Sequence, residues 1–286
     1  MRQLSLILAL LLALLLALCA CAAAEEALPG GVTLTEGETA SIDLDGDGAA
    51  EAIRWAMTPG DDGALVLEVT GADGATVSYG TDIGWAGSGW VADLDGDGRM
   101  EIFVWGDVMS DDYYTWCLHW MGDRLAPALF CDIERGENGN GYFKCGYGSL
   151  TAADPAAGTV TLCGSQDVLG TYFVARTLKL SADGLFEIAD DGWWTREAPA
   201  AGEAWDEYTG LTLKAETACT LDGKPATLKP GDRIFITGSD KRQQAAFVTP
   251  DGHSGTLEID RNYDDWGWKV NDIPESDVFE FVPYAD

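Results

Sequence analysis

Hydrophobic and polar positions alternate with a period of two along most of this chain. Short runs rich in β-branched and aromatic residues are separated by Gly, Asp and Pro at intervals of about ten residues, which is typical of strands and turns. These runs predict strands at residues 51–57, 64–70, 75–79, 101–105, 113–120, 159–163 and 171–180. Beyond the N-terminal segment no stripe with the helical period is sustained, so we expect an all-β protein.

The strands belong to an internal repeat. Residues 42–55 (IDLDGDGAAEAIRW) recur 50 positions later as residues 92–105 (ADLDGDGRMEIFVW), and each copy is followed by two further predicted strands. A third copy is more diverged: residues 159–164 (TVTLCG) match residues 101–106, but residues 153–156 (ADPA) replace the acidic segment. We therefore expect three repeats of four strands each within residues 30–197.

The acidic segments of the first two repeats predict metal sites. A hairpin turn needs one Asp-Gly step, whereas these loops alternate three Asp residues and add a Glu at the ninth position. Such closely spaced carboxylates repel one another unless a cation neutralises them, and Ca²⁺ prefers six to eight oxygen ligands. We predict two calcium sites: Asp43, Asp45, Asp47 and Glu51 with the carbonyl of Ala49, and Asp93, Asp95, Asp97 and Glu101 with the carbonyl of Arg99.

A four-stranded repeat with an acidic loop between its first two strands is a propeller-blade pattern. In residues 43–51 (DLDGDGAAE) and 93–101 (DLDGDGRME) the chain resembles the FG-GAP/VCBS family of integrin-alpha-like repeats. The resemblance implies a calcium-binding β-propeller repeat that acts in adhesion or ligand recognition, with the closing Glu where this chain has Glu51 and Glu101. Because three repeats are fewer than a closed propeller needs, we expect a partial propeller-like array.

A second, smaller unit follows. Residues 198–209 predict a linker, and residues 210–286 predict a small β-barrel with strands at 211–214, 233–237, 244–249, 254–259 and 278–282. Residues 228–236 (LKPGDRIFI) and 247–257 (FVTPDGHSGTL) resemble a bacterial extracellular Src-homology-3-like barrel.

The N-terminus is typical of an exported lipoprotein. Arg2 precedes a Leu/Ala run at residues 4–18, and residues 18–21 (LCAC) resemble a bacterial lipobox, so residues 1–21 are interpreted as a signal peptide with lipidation at Cys21. Ordinary cleavage after Ala24, or an uncleaved helical anchor, are the alternatives. We expect a protein anchored in the cell membrane by lipid and facing the extracellular side.

The net charge limits the classes of partner, and the cysteine spacing limits the kinds of zinc and disulfide site. The net charge of −31 argues against nucleic acid and anionic headgroups as partners, while 47% hydrophobic residues indicate a folded chain. Five cysteines follow Cys21 without the paired spacing of a zinc site. Cys145 and Cys163 flank a turn symmetrically, so either a bridge or reduced core thiols are compatible with the sequence.

Evidence for catalysis is sparse in the sequence. His119 and His253 lie outside any catalytic motif, and the acidic pairs fall in predicted loops. Tryptophans in loops can stack on sugar rings or pack beneath the loop; the four candidates for ligand contact are Trp85, Trp90, Trp193 and Trp194. We expect a non-enzymatic module that binds extracellular glycan, peptidoglycan or protein. A polysaccharide-active enzyme on a propeller-like scaffold and a structural subunit of an envelope complex are the alternatives.

Overall fold

The computed structural model describes residues 28–59, 63–109, 112–132, 141–189, 192–200, 205, 210–262 and 267–284, and the statements below concern these residues. The predicted signal segment with Cys21 lies outside them, as do most of the predicted linker and the acidic pairs at 61–62, 190–191 and 264–265. The described chain is almost entirely β-structure, which confirms the all-β prediction.

The first half of the chain contributes twelve strands: β1 Val32–Leu34, β2 Ala40–Ile42, β3 Glu51–Met57, β4 Leu65–Thr70, β5 Thr76–Gly80, β6 Gly87–Ala92, β7 Glu101–Met109, β8 Asp112–Trp120, β9 Leu125–Pro127, β10 Leu129–Asp132, β11 Gly141–Phe143 and β12 Gly146–Tyr147. The second half adds thirteen: β13 Ser149–Asp154, β14 Thr159–Asp167, β15 Thr171–Leu180, β16 Leu185–Ile188, β17 Trp194–Thr195, β18 Leu211–Thr212, β19 Thr217–Leu221, β20 Lys224–Leu228, β21 Arg233–Ser239, β22 Gln244–Val248, β23 Ser254–Asn262, β24 Gly267–Val270 and β25 Ile273–Pro274. One short helix, α1, spans Glu275–Val278. Within the described ranges no helix is long and apolar enough to cross a membrane.

Three antiparallel four-stranded meanders form the repeat region. They are β2–β3–β4–β5, β6–β7–β8–β9 and β13–β14–β15–β16, in the chain order that the internal repeat predicts. In the first two meanders the acidic loop joins the first strand to the second, and in the third meander a turn at residues 155–158 takes its place.

The second meander is the middle layer of the repeat region. Along β7, Ile102 and Val104 pack toward the first meander, whereas Phe103 and Trp105 pack toward the third. Successive side chains of a strand point to opposite faces, so a strand buried on both faces has a continuous apolar run. The position of β7 between two cores explains why residues 102–105 (IFVW) are all apolar.

The C-terminal region forms a second lobe with its own core, which includes Leu213, Ile236, Phe247 and Phe279. The strands predicted at residues 211–214, 233–237, 244–249 and 254–259 correspond to β18, β21, β22 and β23. The predicted strand at residues 278–282 is wrong, because Val278 ends α1 and only Phe279 forms an isolated bridge, with Leu213.

The two lobes are joined by more than the predicted linker. Strand β17 pairs with β15 of the repeat region and with β21 of the second lobe, so that one 15-stranded sheet runs through both. The tip of the β14–β15 hairpin, Val168 and Leu169, is buried in the core of the second lobe. The Nε1–H of Trp268 donates to the carbonyl of Asp167 over 2.6 Å at the same junction.

Candidate metal centre

The first acidic loop joins β2 to β3 and is organised by its own carboxylates. The two oxygens of Asp43 accept hydrogen bonds from the backbone N–H groups of Gly46 and Gly48, both over 2.9 Å. Gly48 occupies the sixth position with φ 89°, a left-handed conformation that glycine adopts without steric penalty. This glycine allows the chain to curl around the Asp43 carboxylate, as the sequence pattern predicts.

The second acidic loop, between β6 and β7, repeats this geometry. Asp93 accepts from the N–H groups of Gly96 and Gly98 over 2.7 and 3.1 Å, and Gly98 has φ 87°. Two segments that are 50 residues apart in sequence therefore adopt the same backbone conformation.

Three carboxylates converge in each loop. Oxygen atoms of Asp43, Asp45 and Glu51 lie within 4.8 Å of one another, and so do oxygen atoms of Asp93, Asp95 and Glu101. Each of these clusters can hold a metal ion, and the donor set consists entirely of carboxylate oxygens, which hard cations prefer.

The fourth predicted carboxylate of each loop lies outside the convergent set. Asp47 accepts a hydrogen bond from the backbone N–H of Ala49 over 2.7 Å, and Asp97 accepts one from Arg99 over 2.8 Å. These bonds fix the turn at the residues whose carbonyls are predicted ligands. The roles of Asp47, Asp97 and the carbonyls of Ala49 and Arg99 as ligands remain predictions.

The glutamates that close the two clusters are buried. Glu51 is 3% exposed and Glu101 is 1% exposed, and each accepts a short hydrogen bond from the backbone N–H of the leucine after the first Asp. Burial and, to a smaller extent, the neighbouring carboxylates of Asp95, Asp97 and Asp93 together raise the pKa of Glu101 to about 7, although this hydrogen bond acts to lower it. An ionised carboxylate at this position needs a compensating positive charge, which a bound cation supplies.

His119 distinguishes the second cluster from the first. Its Nδ1 lies 3.4 Å from Oε1 of Glu101, because Glu101 on β7 pairs directly with His119 on β8. Burial lowers the pKa of His119, against the opposing effect of Asp95 and Asp97. The sequence predicts a packed strand residue at this position. The contact with Glu101 requires the β7–β8 register, and the sequence alone does not give it.

The two acidic loops touch. The backbone N–H of Met100 donates to the carbonyl of Leu44 over 2.9 Å, and a Cβ atom on Gly46 would stand 2.7 Å from the carbonyl oxygen of Gly98. The turn of the third meander continues the series, since a Cβ atom on Gly158 would lie 3.6 Å from the carbonyl oxygen of Leu94. Corresponding turns of the three repeats are therefore in contact with one another in series.

The four tryptophans predicted for ligand contact differ in exposure. Trp85 is 62% exposed and lies before β6. Trp90, in β6, is fully buried and packs on Phe103 at 5.5 Å between ring centroids, so its interpretation as an exposed loop residue is wrong. Trp193 is half-buried. Trp194 is buried in β17 under Arg176 and Lys241, whose cationic groups lie 5.2 and 5.0 Å from its ring, so it too is not a surface platform.

The remaining candidates for chemistry are accounted for by local structure. Nδ1 of His253 lies 2.7 Å from Oδ2 of Asp222, and both side chains are more than half exposed at a junction of two turns. Cys117, Cys131, Cys145, Cys163 and Cys219 are all free thiols, so Cys145 and Cys163 are not bridged.

Comparison of the whole chain with protein-family models, with curated proteins and with solved structures finds no match.

Proposed function

We propose that this protein is a calcium-binding lipoprotein of the cell surface that acts as a non-catalytic binding or adhesion module for extracellular glycan, cell-wall or protein ligands. The observation that carries the proposal is the pair of adjacent loops, each with three convergent carboxylates and a buried Glu.

Calcium fits the two loops better than other cations. Every converging donor is a carboxylate oxygen, and the loop backbone curves around the site as calcium loops do. Mg²⁺ demands octahedral geometry and retains water, which suits a closed carboxylate loop less well. The carbonyls of Ala49 and Arg99, with Asp47 and Asp97, complete the proposed oxygen shells.

The stacking of the three meanders supports a partial FG-GAP/VCBS-like propeller array. Each meander has its acidic loop, or the turn that replaces it, at the same end, and neighbouring turns are in contact. The second lobe, with five or more short antiparallel strands around one core, supports a small barrel of the Src-homology-3-like kind.

The N-terminal sequence supports export and lipid anchoring. Cys21 follows the LCA segment of the lipobox-like motif, and two acyl chains give stable attachment at about 0.8 kcal/mol per buried methylene. Mass spectrometry of the protein from its producing cell tests this: a mature chain that begins at Cys21 with a diacylglyceryl group is expected. A chain that begins at Glu25 without lipid contradicts it.

Binding rather than catalysis is supported by the exposed Trp85 and by acidic clusters whose carboxylates come from the loops themselves. Calcium in such a loop keeps the fold rigid, and a saturated oxygen shell leaves little access for a substrate. The proposed net effect of calcium is to fix the loops that present the ligand-binding surface.

Calorimetric titration of chelator-treated protein with Ca²⁺ tests the central claim. Two binding events are expected, and Mg²⁺ at the same concentration should give a much smaller response. A glycan array and a cell-wall pull-down, each with calcium and with EDTA, then test recognition. Turnover of a polysaccharide that is abolished by one Asp or Glu substitution outside the acidic loops would instead establish an enzyme.

A further inference from the structure

A groove runs along the start of strand β6. Its two parts measure about 290 and about 450 Å³, and both are lined by Gly87, Ser88 and Trp105. Because they share these residues, the two parts adjoin, and each is close to or within the range of about 300–1,000 Å³ that small-molecule sites occupy.

The backbone of β6 is open toward this groove. Strand β1 pairs with β6 only as far as Leu34 opposite Gly89, after which the β1 chain turns away and residues 87 and 88 have β7 alone as a neighbour. Successive residues of a strand direct their N–H and C=O groups to alternate sides. One of Gly87 and Ser88 therefore presents both backbone groups to the side that β1 has left.

Aromatic rings flank this open backbone. Trp55 lies so close on one face that a Cβ atom on Gly87 or Gly89 would stand 3.2 or 2.9 Å from its ring, and Trp105 lies opposite Ser88 in the β6–β7 register. The two glycines thus make room for the indole of Trp55. Trp85, which is 62% exposed, is the chain neighbour of Ala86 in the wider part of the groove.

The polar groups of the groove are neutral or acidic. Thr33, Thr35, Ser88 and Thr151 contribute hydroxyl groups and Glu36 contributes a carboxylate, while none of the described lining residues is Lys or Arg. Anionic ligands are disfavoured by this lining and by the net charge of −31. Trp55 and Trp105 are only 3% and 9% exposed, so they form the buried wall of the groove, whereas Trp85 offers an exposed ring face beside it. That ring, the hydroxyl and carboxylate groups and the open backbone match the alternation of apolar ring faces and hydroxyl edges of a sugar.

We propose that this groove binds a neutral saccharide of the extracellular matrix or cell wall. This assignment rests on the proposed function, of which it names the ligand class and the site. An extended peptide is less well matched, because strand addition depends on a row of main-chain hydrogen bonds and the open edge of β6 is only two residues long.

The test is a titration of the calcium-loaded protein with neutral linear trisaccharides, namely cellotriose, maltotriose and tri-N-acetylchitotriose, followed by calorimetry and tryptophan fluorescence. At least one is expected to bind, with an affinity that is unchanged by salt. Ser88→Leu, which fills the groove floor, should weaken binding at least about tenfold. Ser78→Leu, the same change on exposed β5, should leave it unchanged.

Further variants keep the result interpretable. If Ser88→Leu does not fold, Thr35→Leu fills the groove from an exposed position and should have the same effect. Trp85→Ala should weaken binding, whereas Phe173→Ala, at another exposed aromatic side chain, should not. Equal affinity of Ser88→Leu or Thr35→Leu and the wild type overturns the site.

These measurements distinguish failure of the groove assignment from failure of the proposed function. No trisaccharide binding up to about 10 mM, together with an intact calcium response, rejects the groove assignment alone. Absence of a calcium response in the wild-type protein rejects the proposed function, on which the groove assignment rests. Salt-sensitive binding of a cationic peptide that Glu36→Gln abolishes would replace the saccharide with a peptide ligand.

Discussion

Gly46 of the first acidic loop lies directly against Gly98 of the second, so that a Cβ atom on Gly46 would be 2.7 Å from the Gly98 carbonyl oxygen. The backbones of the two loops are therefore in direct contact.

Substitution of Gly46 by Ala should destabilise the protein more than the same change at Gly96. Both glycines have φ 76°, so both variants carry the cost of a left-handed alanine, about 1–2 kcal/mol. Only Gly46→Ala also collides with the other loop, since a Cβ atom on Gly96 meets nothing within 4 Å, and this adds about 1–3 kcal/mol. Urea denaturation in the presence of chelator measures the free energy of unfolding of both variants. Equal decreases for Gly46→Ala and Gly96→Ala would show that the loops do not touch.

Removal of one loop carboxylate should reduce the stabilisation by calcium. With free Ca²⁺ at about a hundred times its Kd, one site contributes roughly 2.7 kcal/mol. Asp45→Ala and Asp95→Ala should each lower the melting temperature in calcium, and the double variant should lose most of the response to EDTA. Asp123→Ala, at a side chain that is 80% exposed, serves as the control. A wild-type melting temperature that EDTA does not change contradicts this prediction.

Glu101→Gln should have opposite effects with and without calcium. Burial and the nearby Asp carboxylates raise the pKa of Glu101, so its ionised form costs folding free energy in the metal-free protein. The amide keeps an acceptor for the Leu94 N–H but removes the charge. Scanning calorimetry should find a higher melting temperature than wild type in EDTA and a lower one in calcium. A decrease under both conditions would mean that the carboxylate is held by other groups.

Ionisation of Tyr147 should lower the free energy of unfolding at alkaline pH. Its burial raises the pKa of the phenol to about 12, above the ordinary value of 10.0, while a 2.6 Å hydrogen bond with Ser165 acts in the opposite direction. Because the pKa of Tyr147 is higher in the folded than in the unfolded protein, the stabilisation by its neutral phenol is complete below pH 10 and is lost as the pH rises toward 12. Unfolding free energies between these limits should decline more steeply for wild type than for Tyr147→Phe. Parallel profiles would exclude the assignment.

Leu169→Ala should destabilise both lobes together. Leu169 is 1% exposed at the tip of the β14–β15 hairpin and packs in the core of the second lobe, so its truncation should cost about 2–5 kcal/mol. Ile273→Ala, at a residue that is 42% exposed, should cost far less. Denaturation followed by both circular dichroism and tryptophan fluorescence should give one shared transition. Two separate transitions would indicate independent lobes.

The local features of the fold are readable from the sequence because they depend on short-range periodicity. Alternation predicts β3, β4, β5, β7, β8, β14 and β15 of the three meanders, and the spacing of Asp and Gly predicts both acidic loops. The repeat offset also placed Trp55 and Trp105 at corresponding positions.

Features that depend on long-range packing were not predictable in the same way. Trp90 reads as a loop residue beside glycines, yet the pairing of β6 with β1 and β7 places it in a core. The Glu101–His119 contact depends on register, and the insertion of Val168 and Leu169 depends on the arrangement of two lobes. Asp47 and Asp97 bond to the backbone at a distance of two residues, a local alternative to metal binding that the acidic pattern does not exclude.

The pairing of β17 with both β15 and β21 has a mechanical consequence. Lobes that are joined by a linker alone swing freely about it, but here backbone hydrogen bonds and the buried hairpin tip hold the second lobe to the first. We therefore expect a force applied to one lobe to reach the other through the strands of the shared sheet.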